Sequence, residues 1–128
     1  AKQGVMATFG ATLGDVGPGE VTIEAPFSPA LTQQHGFLHA GVLATLMDSA
    51  CGYAASTLMP EDAGVLSIEF KTNLLKPARG ERFRFTGSVL KAGRTITVCE
   101  GRAYADGILV ATMTATMMTI KDRADVVG

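Results

Sequence analysis

Residues Gly36 to Met59 read GFLHAGVLATLMDSACGYAASTLM, and the single formally charged residue among them is Asp48. The run is long enough for several helical turns, and Pro60 closes it. A membrane span needs about 20 predominantly apolar residues. Here His39, Thr45, Asp48, Ser49, Ser56 and Thr57 interrupt the run, so the stretch predicts a helix buried in protein.

Outward from that helix the periodicity changes to two. Four alternating runs follow it, Val65 to Leu75, Glu81 to Leu90, Thr95 to Ala105 and Ile108 to Ile120. Their joints, Lys76-Pro77-Ala78-Arg79-Gly80, Lys91-Ala92-Gly93-Arg94 and Ala105-Asp106-Gly107, are short and turn-forming, which makes neighbouring strands antiparallel. Before the helix, Val5 to Leu13 and Val21 to Ala25 also alternate about the breaker cluster Gly14-Asp15-Val16-Gly17-Pro18-Gly19, which predicts a strand hairpin. Two prolines make Pro26 to Gly36 a loop.

The expected fold class is therefore α+β: a curved antiparallel sheet of about six strands wrapped around one long helix. With 128 residues, residues 1–128 form a single domain. One small sheet cannot cover every side of such a helix, so an obligate oligomer is expected.

Composition narrows the function classes. Hydrophobic residues make up 47% and charged residues 18%, which excludes a disordered chain. The formal charge of −1 offers no broad basic field for nucleic acid or anionic lipid. Cys51 and Cys99 form no CxxC and no Cys/His cluster, a pattern that suits a reducing compartment better than a disulfide framework or a metal site. With no charged-then-apolar leader at Ala1-Lys2-Gln3-Gly4-Val5, the expectation is a cytoplasmic protein. The GxGxxG, GxxxxGK[ST], HExxH and GxSxG motifs are all missing, so Rossmann, P-loop, zincin and serine-hydrolase readings have no support.

Asp48 is the first chemical candidate, because an ionised carboxylate in an apolar helix is costly unless paired, hydrogen-bonded or set at a cavity wall. No Lys or Arg between Gly36 and Lys71 pairs it locally. The helix start is the second. The amides of Ala40, Gly41 and Val42 should be among the unbonded first-turn donors, suited to a polarised carbonyl oxygen; equally, Ala40 and Gly41 serve close packing. His39 reads evenly as a cap or as a functional histidine, and His35 as a surface residue. From His39 to Asp48 is about 13 Å along a helix, too far to act on one atom, so a site across a subunit interface is expected. Ser67, Glu69, Lys71 and Asn73 share one face of the first long strand, which either faces solvent or brings Ser67 to an interfacial site. Lys76, Arg79, Lys91 and Arg94 form a modest basic rim at strand ends, suited to the phosphates of a nucleotide-like ligand or simply to solubility.

The stretch Gln33-Gln34-His35-Gly36-Phe37-Leu38-His39-Ala40-Gly41, with Asp48 nine residues beyond His39, resembles the hotdog-fold acyl-CoA thioesterases of the phenylacetyl-CoA and 4-hydroxybenzoyl-CoA type. The resemblance extends over Ser67-Ile68-Glu69-Phe70, Leu75-Lys76-Pro77-Ala78 and Val89-Leu90-Lys91-Ala92-Gly93-Arg94. It implies a homodimer of hotdogs, commonly a homotetramer, that hydrolyses acyl-CoA to acid and CoA without metal or cofactor. Carried over by position, Asp48 resembles the catalytic carboxylate and the Ala40 amide the thioester-oxygen donor, with Gly41 supporting that turn. Gln33 matches a residue that holds the carbonyl or the water, His39 the motif histidine, and Ser67 a hydroxyl that approaches the carboxylate from across the interface. Lys76, Arg79, Lys91, Gly93 and Arg94 lie where relatives hold CoA phosphates. Ala40 departs from the common His-Gly-Gly pattern but still donates its amide.

The resulting expectation is a thioesterase for an aryl- or medium-chain acyl-CoA, with Asp48 as general base or nucleophile. Its acyl pocket would be formed from Phe37, Leu46, Met47, Tyr53, Leu58, Met59 and Leu66. Two rivals remain: a hotdog hydroxyacyl dehydratase or hydratase using His39 and Asp48, and a non-catalytic acyl-CoA-binding module.

Overall fold

The computed structural model describes residues 6–26 and 39–120. Its elements, in chain order, are β1 (Thr12–Gly17), β2 (Glu20–Pro26), α1 (Ala40–Ser56), β3 (Gly64–Leu74), β4 (Arg82–Ala92), β5 (Ile96–Ala105) and β6 (Ile108–Ile120). The six strands form one antiparallel sheet in the order β1-β2-β4-β5-β6-β3, with α1 packed on one face. This is the hotdog architecture that the sequence predicts.

Small residues set how closely helix and sheet approach. Ala50, Ala54 and Ala55 on α1 meet a concave face carrying Ala103, Ala105, Ala111 and Ala115, with Phe83, Phe85 and Ile23 filling the ends. The tightest point is Gly87, paired across the ladder with Gly101: a Cβ on Gly87 would stand 2.3 Å from the Ala50 carbonyl oxygen. Nine positions of α1 are buried, while Ala44, Thr45, Asp48, Ser49 and Tyr53, spaced by three and four, form a half-open stripe. At the helix end the Thr57 hydroxyl donates to the Ala54 carbonyl (2.6 Å) and accepts from the Gly19 amide (2.7 Å), tying α1 to the β1–β2 turn.

The N-terminal hairpin differs from expectation. Residues 6–8 are helical rather than extended, and the strand is Thr12–Gly17, running through the cluster read as the turn. Two features allow this. Gly10, at φ +65, reverses the chain before β1, with the Ala11 amide bonded to the Met6 carbonyl. A register shift between Leu13 and Val16 then absorbs Gly14 and Asp15 in an edge strand, leaving Pro18 and Gly19 as the tight turn. The helix is also shorter than the run Gly36 to Met59. It begins at Ala40 and ends at Ser56.

The Asp-Gly hairpin between β5 and β6 forms as predicted, and Asp106 does more than turn. At φ +48 its carboxylate accepts from the amides of Glu81 (3.1 Å) and Arg82 (3.0 Å), fixing the start of β4. Asp106→Ala loses those bonds and keeps the left-handed strain, so it should cost about 2 kcal/mol, whereas Asp106→Gly should cost about half as much. Urea midpoints of both variants test this; equal losses would remove backbone strain from the account.

Candidate active site

Asp48 projects from the half-open stripe of α1, half-buried, and its Oδ1 accepts a 2.8 Å hydrogen bond from the Ser67 hydroxyl. The same Ser67 oxygen lies 3.3 Å from the Met117 sulfur. The helix therefore supplies the carboxylate, and β3 holds it.

How Ser67 comes to face the helix is a matter of register. Ser67 pairs with Met117, but Glu69 pairs with Thr116, so Ile68 is an extra residue in β3. The bulge moves the chain out of phase. Ser67 lies opposite buried Met117, while Glu69 lies on the other face and accepts a hydrogen bond from Thr116. The expected single polar row of Ser67, Glu69, Lys71 and Asn73 is thus broken after its first member. Nor does Ser67 reach Asp48 from across an interface: the bond lies within one chain.

At the helix start, His39 is the N-cap, with Nδ1 accepting from the Gly41 amide at 2.9 Å. That acceptor role places the imidazole hydrogen on Nε2. A Cβ on Gly41 would stand 3.1 Å from Nδ1, which accounts for glycine there. The Val42 amide bonds to the His39 carbonyl at 2.9 Å. Of the three amides expected free, Gly41 and Val42 are therefore engaged, and only Ala40 keeps its N–H without a partner among the described residues. Ala40 is exposed, at the positive end of the helix dipole.

Ala40 and Asp48 lie on one unbroken helix, about 12 Å apart along its axis. They cannot meet on one carbon within a chain. The His39 ring, turned back to Gly41, is as distant from Asp48. Gln33, His35 and Phe37 lie outside the described residues.

The basic residues do not form one rim. Lys76 and Arg79 precede β4, on the end of the sheet shared with the start of α1, whereas Lys91, Gly93 and Arg94 lie at the far end of β4, roughly 30 Å away. The residues expected to line one acyl pocket are likewise divided: Leu46 and Met47 are fully buried in the core, while Leu58 and Leu66 stand open. Beside the half-open stripe runs β3, an edge strand whose Leu66, Ile68, Phe70 and Leu74 are 46–57% exposed. Among the described residues there is no group of three or more metal-ligating side chains, and no helix long and apolar enough to cross a membrane.

Comparison with known proteins bears on this arrangement directly. The sequence signature of the thioesterase superfamily matches residues 35–112, from the segment before the helix through most of the sheet. The chain belongs to the thioesterase superfamily. Thioester hydrolysis is the reaction class that comes with it. A solved structure of a thioesterase family protein from Silicibacter pomeroyi is 56% identical, superposes with a TM-score of 0.89, and is matched over 91% of this chain and 89% of that one. A Halobacterium salinarum protein named as an esterase is 32% identical over 77% of this chain and 68% of its own length. The medium/long-chain acyl-CoA thioesterase YigI of Escherichia coli is 34% identical over 63% of this chain; the chain spans 61% of that relative.

Proposed function

We propose that this thioesterase-superfamily chain hydrolyses acyl-CoA thioesters, with aryl- or medium-chain acyl groups as the substrate class, at a site shared by two protomers. The observation that carries this reading is Asp48, a carboxylate on the half-open stripe of an otherwise buried helix, anchored by Ser67 and about 12 Å from the Ala40 amide, which has no partner among the described residues. A thioester carbonyl needs a donor at its oxygen and an activated water at its carbon. One chain holds these two groups too far apart, and two chains bring them together.

The edge strand β3 supports the pairing. Two copies joined antiparallel along β3 extend the sheet, cover Phe70 and Leu74, and set their helices side by side in opposite directions. The Ala40 amide of one protomer then approaches Asp48 of its partner. The same two-fold axis brings the Lys76 and Arg79 end of one protomer toward the Lys91 and Arg94 end of the other, a joint cradle for CoA phosphates. Two such dimers make the expected tetramer.

In the reaction, the Ala40 N–H and the helix dipole stabilise the oxyanion that develops from the thioester oxygen. Asp48 takes a proton from water as it attacks, or attacks the carbonyl carbon itself to form an anhydride that water then opens. CoA leaves as the thiol after taking up a proton. Neither route needs a metal or cofactor. A dehydratase would need His39 and Asp48 to converge, and the His39 ring is already committed to the Gly41 amide.

Subunit mixing tests the shared site. Ala40→Pro removes the amide that has no partner among the described residues while suiting the first helical position, and His39 at ψ 138 already has the backbone a following proline requires. Ala40→Pro and Asp48→Asn should each abolish CoA release. Unfolded together and refolded, they should recover about a quarter of parental activity, because half the dimers are mixed and each of those holds one intact site. A mixture that stays inactive, although each variant is folded and dimeric, would place the whole site within one chain. If the parent binds a panel of acyl-CoAs without releasing thiol, the binding-module reading replaces this one.

A further inference from the structure

Beneath the catalytic helix lies a second piece of chemistry. Cys51 on α1 and Cys99 on β5 are far apart in sequence, yet both are fully buried and face each other across the helix–sheet interface. The Cys99 thiol donates to the Cys51 carbonyl at 3.6 Å, which sets the Cys99 sulfur against the residue that carries the other thiol. Gly101 lets them meet. A Cβ there would stand 3.1 Å from the Cys51 sulfur, so the glycine leaves that thiol lying against β5.

We propose that Cys51 and Cys99 are a modification site: a hydroperoxide converts them to an intrachain disulfide that bolts α1 to β5. The chain has two cysteines, so no third thiol competes for either. The two thiols perturb each other. The hydrogen bond from Cys51 favours the Cys99 thiolate and lowers its pKa, while that same bond, burial and the nearby carboxylates Asp48 and Glu100 push the Cys51 thiol up. Attack by either sulfur first, with the other resolving it, gives the same disulfide.

The chemistry closes with peroxide as the only oxidant. With Cys99 first, its thiolate attacks one peroxide oxygen; the O–O bond breaks, hydroxide leaves and a sulfenic acid remains. The Cys51 sulfur then attacks the Cys99 sulfur, the S–O bond breaks as the S–S bond forms, and the departing oxygen leaves as water. Overall the two thiols lose two electrons and two protons, and hydrogen peroxide becomes two waters. Because both sulfurs are buried, the first step waits on a local opening that admits peroxide. The second step needs no further opening, since the two buried cysteines face each other across the helix–sheet interface.

The test is to treat the reduced 128-residue chain with hydrogen peroxide and map its peptides without reduction. The expected result is a mass loss of about 2 Da, one linked peptide pair carrying Cys51 and Cys99, and a melting temperature raised by several degrees and restored by dithiothreitol. Cys51→Ala and Cys99→Ala should each give no linked pair and leave the remaining cysteine to be captured by dimedone as a sulfenic acid. Sulfinic acid at either cysteine without the linked peptide, a disulfide between chains, or two thiols still titratable in denaturant would each overturn the proposal. The map of the parent protein decides even if a variant fails to fold. These readouts are masses and melting temperatures, so they stand or fall apart from the hydrolase reading.

Discussion

Asp48→Asn should lower thiol release from acyl-CoA by about 10² to 10⁴-fold, the range expected for removal of a general base, while the melting temperature stays near that of the parent. The substitution keeps the shape of the side chain, and the amide oxygen still accepts from Ser67, so the edge-strand anchor survives. What disappears is the carboxylate that the proposed mechanism uses as base or nucleophile. Ser67→Ala gives the complementary case: the carboxylate remains and its orientation is released, so turnover should fall only about tenfold. A folded Asp48→Asn variant that retains a tenth of parental turnover would remove the carboxylate from the reaction. Single-turnover hydrolysis in heavy-oxygen water separates the two routes, since label in the Asp48 side chain marks the anhydride.

The second large effect concerns folding. A methyl group at Gly87 would stand 2.3 Å from the Ala50 oxygen and 2.6 Å from the Cys51 nitrogen, both helix backbone that has no rotamer with which to move away. Gly87→Ala must lift the middle of α1 off β4, opening the core beneath Met47 and Cys51, and should cost about 4 kcal/mol or more. That is a large share of the roughly 5–15 kcal/mol that holds an ordinary domain folded. Its cross-strand partner gives a graded comparison. At Gly101 the nearest atoms are the Cys51 sulfur at 3.1 Å and the Met47 Cβ at 3.3 Å, so Gly101→Ala should cost about 1–2 kcal/mol. Gly17, with nothing within 4 Å, should accept alanine within about 0.5 kcal/mol. Chemical denaturation of the three variants checks the order, and a Gly87→Ala protein as stable as the parent would contradict the close approach.

Most of the sheet was legible because alternation in β4, β5 and β6 is driven by burial of one face, and the hairpin between β5 and β6 carries an Asp-Gly signal. The helix was legible for a different reason: a run with one charge has few other places to go. The errors have physical causes as well. Residues 5–13 alternate, but Met6, outside the alternating set, points into the core while Ala7 and Leu13, within it, stand exposed. The bulge at Ile68 leaves no mark in residue type, so a strictly periodic reading sends Ser67 to the wrong face. Asp48 stood out by its chemistry, because a lone carboxylate in an apolar run demands an explanation. The His39 cap was only one of two even readings. Histidine is not among the preferred N-cap residues, and its bond to the Gly41 amide emerges only once the helix start is fixed in space. In the same way, nothing in the spacing of Cys51 and Cys99 announces that they touch.

The Thr57 hydroxyl makes the first hairpin and the last helical turn a single opening unit. β1 is an exposed edge strand that would otherwise peel away from the sheet alone. The Gly19 amide ends on Thr57, and Thr57 holds the Ala54 carbonyl, so strand and helix end share one hydrogen-bonded relay. Peeling of the hairpin therefore unfastens the helix terminus in the same motion, and fraying of the helix loosens the hairpin. A margin of the sheet that looks peripheral is in this way clamped to the element that carries Asp48.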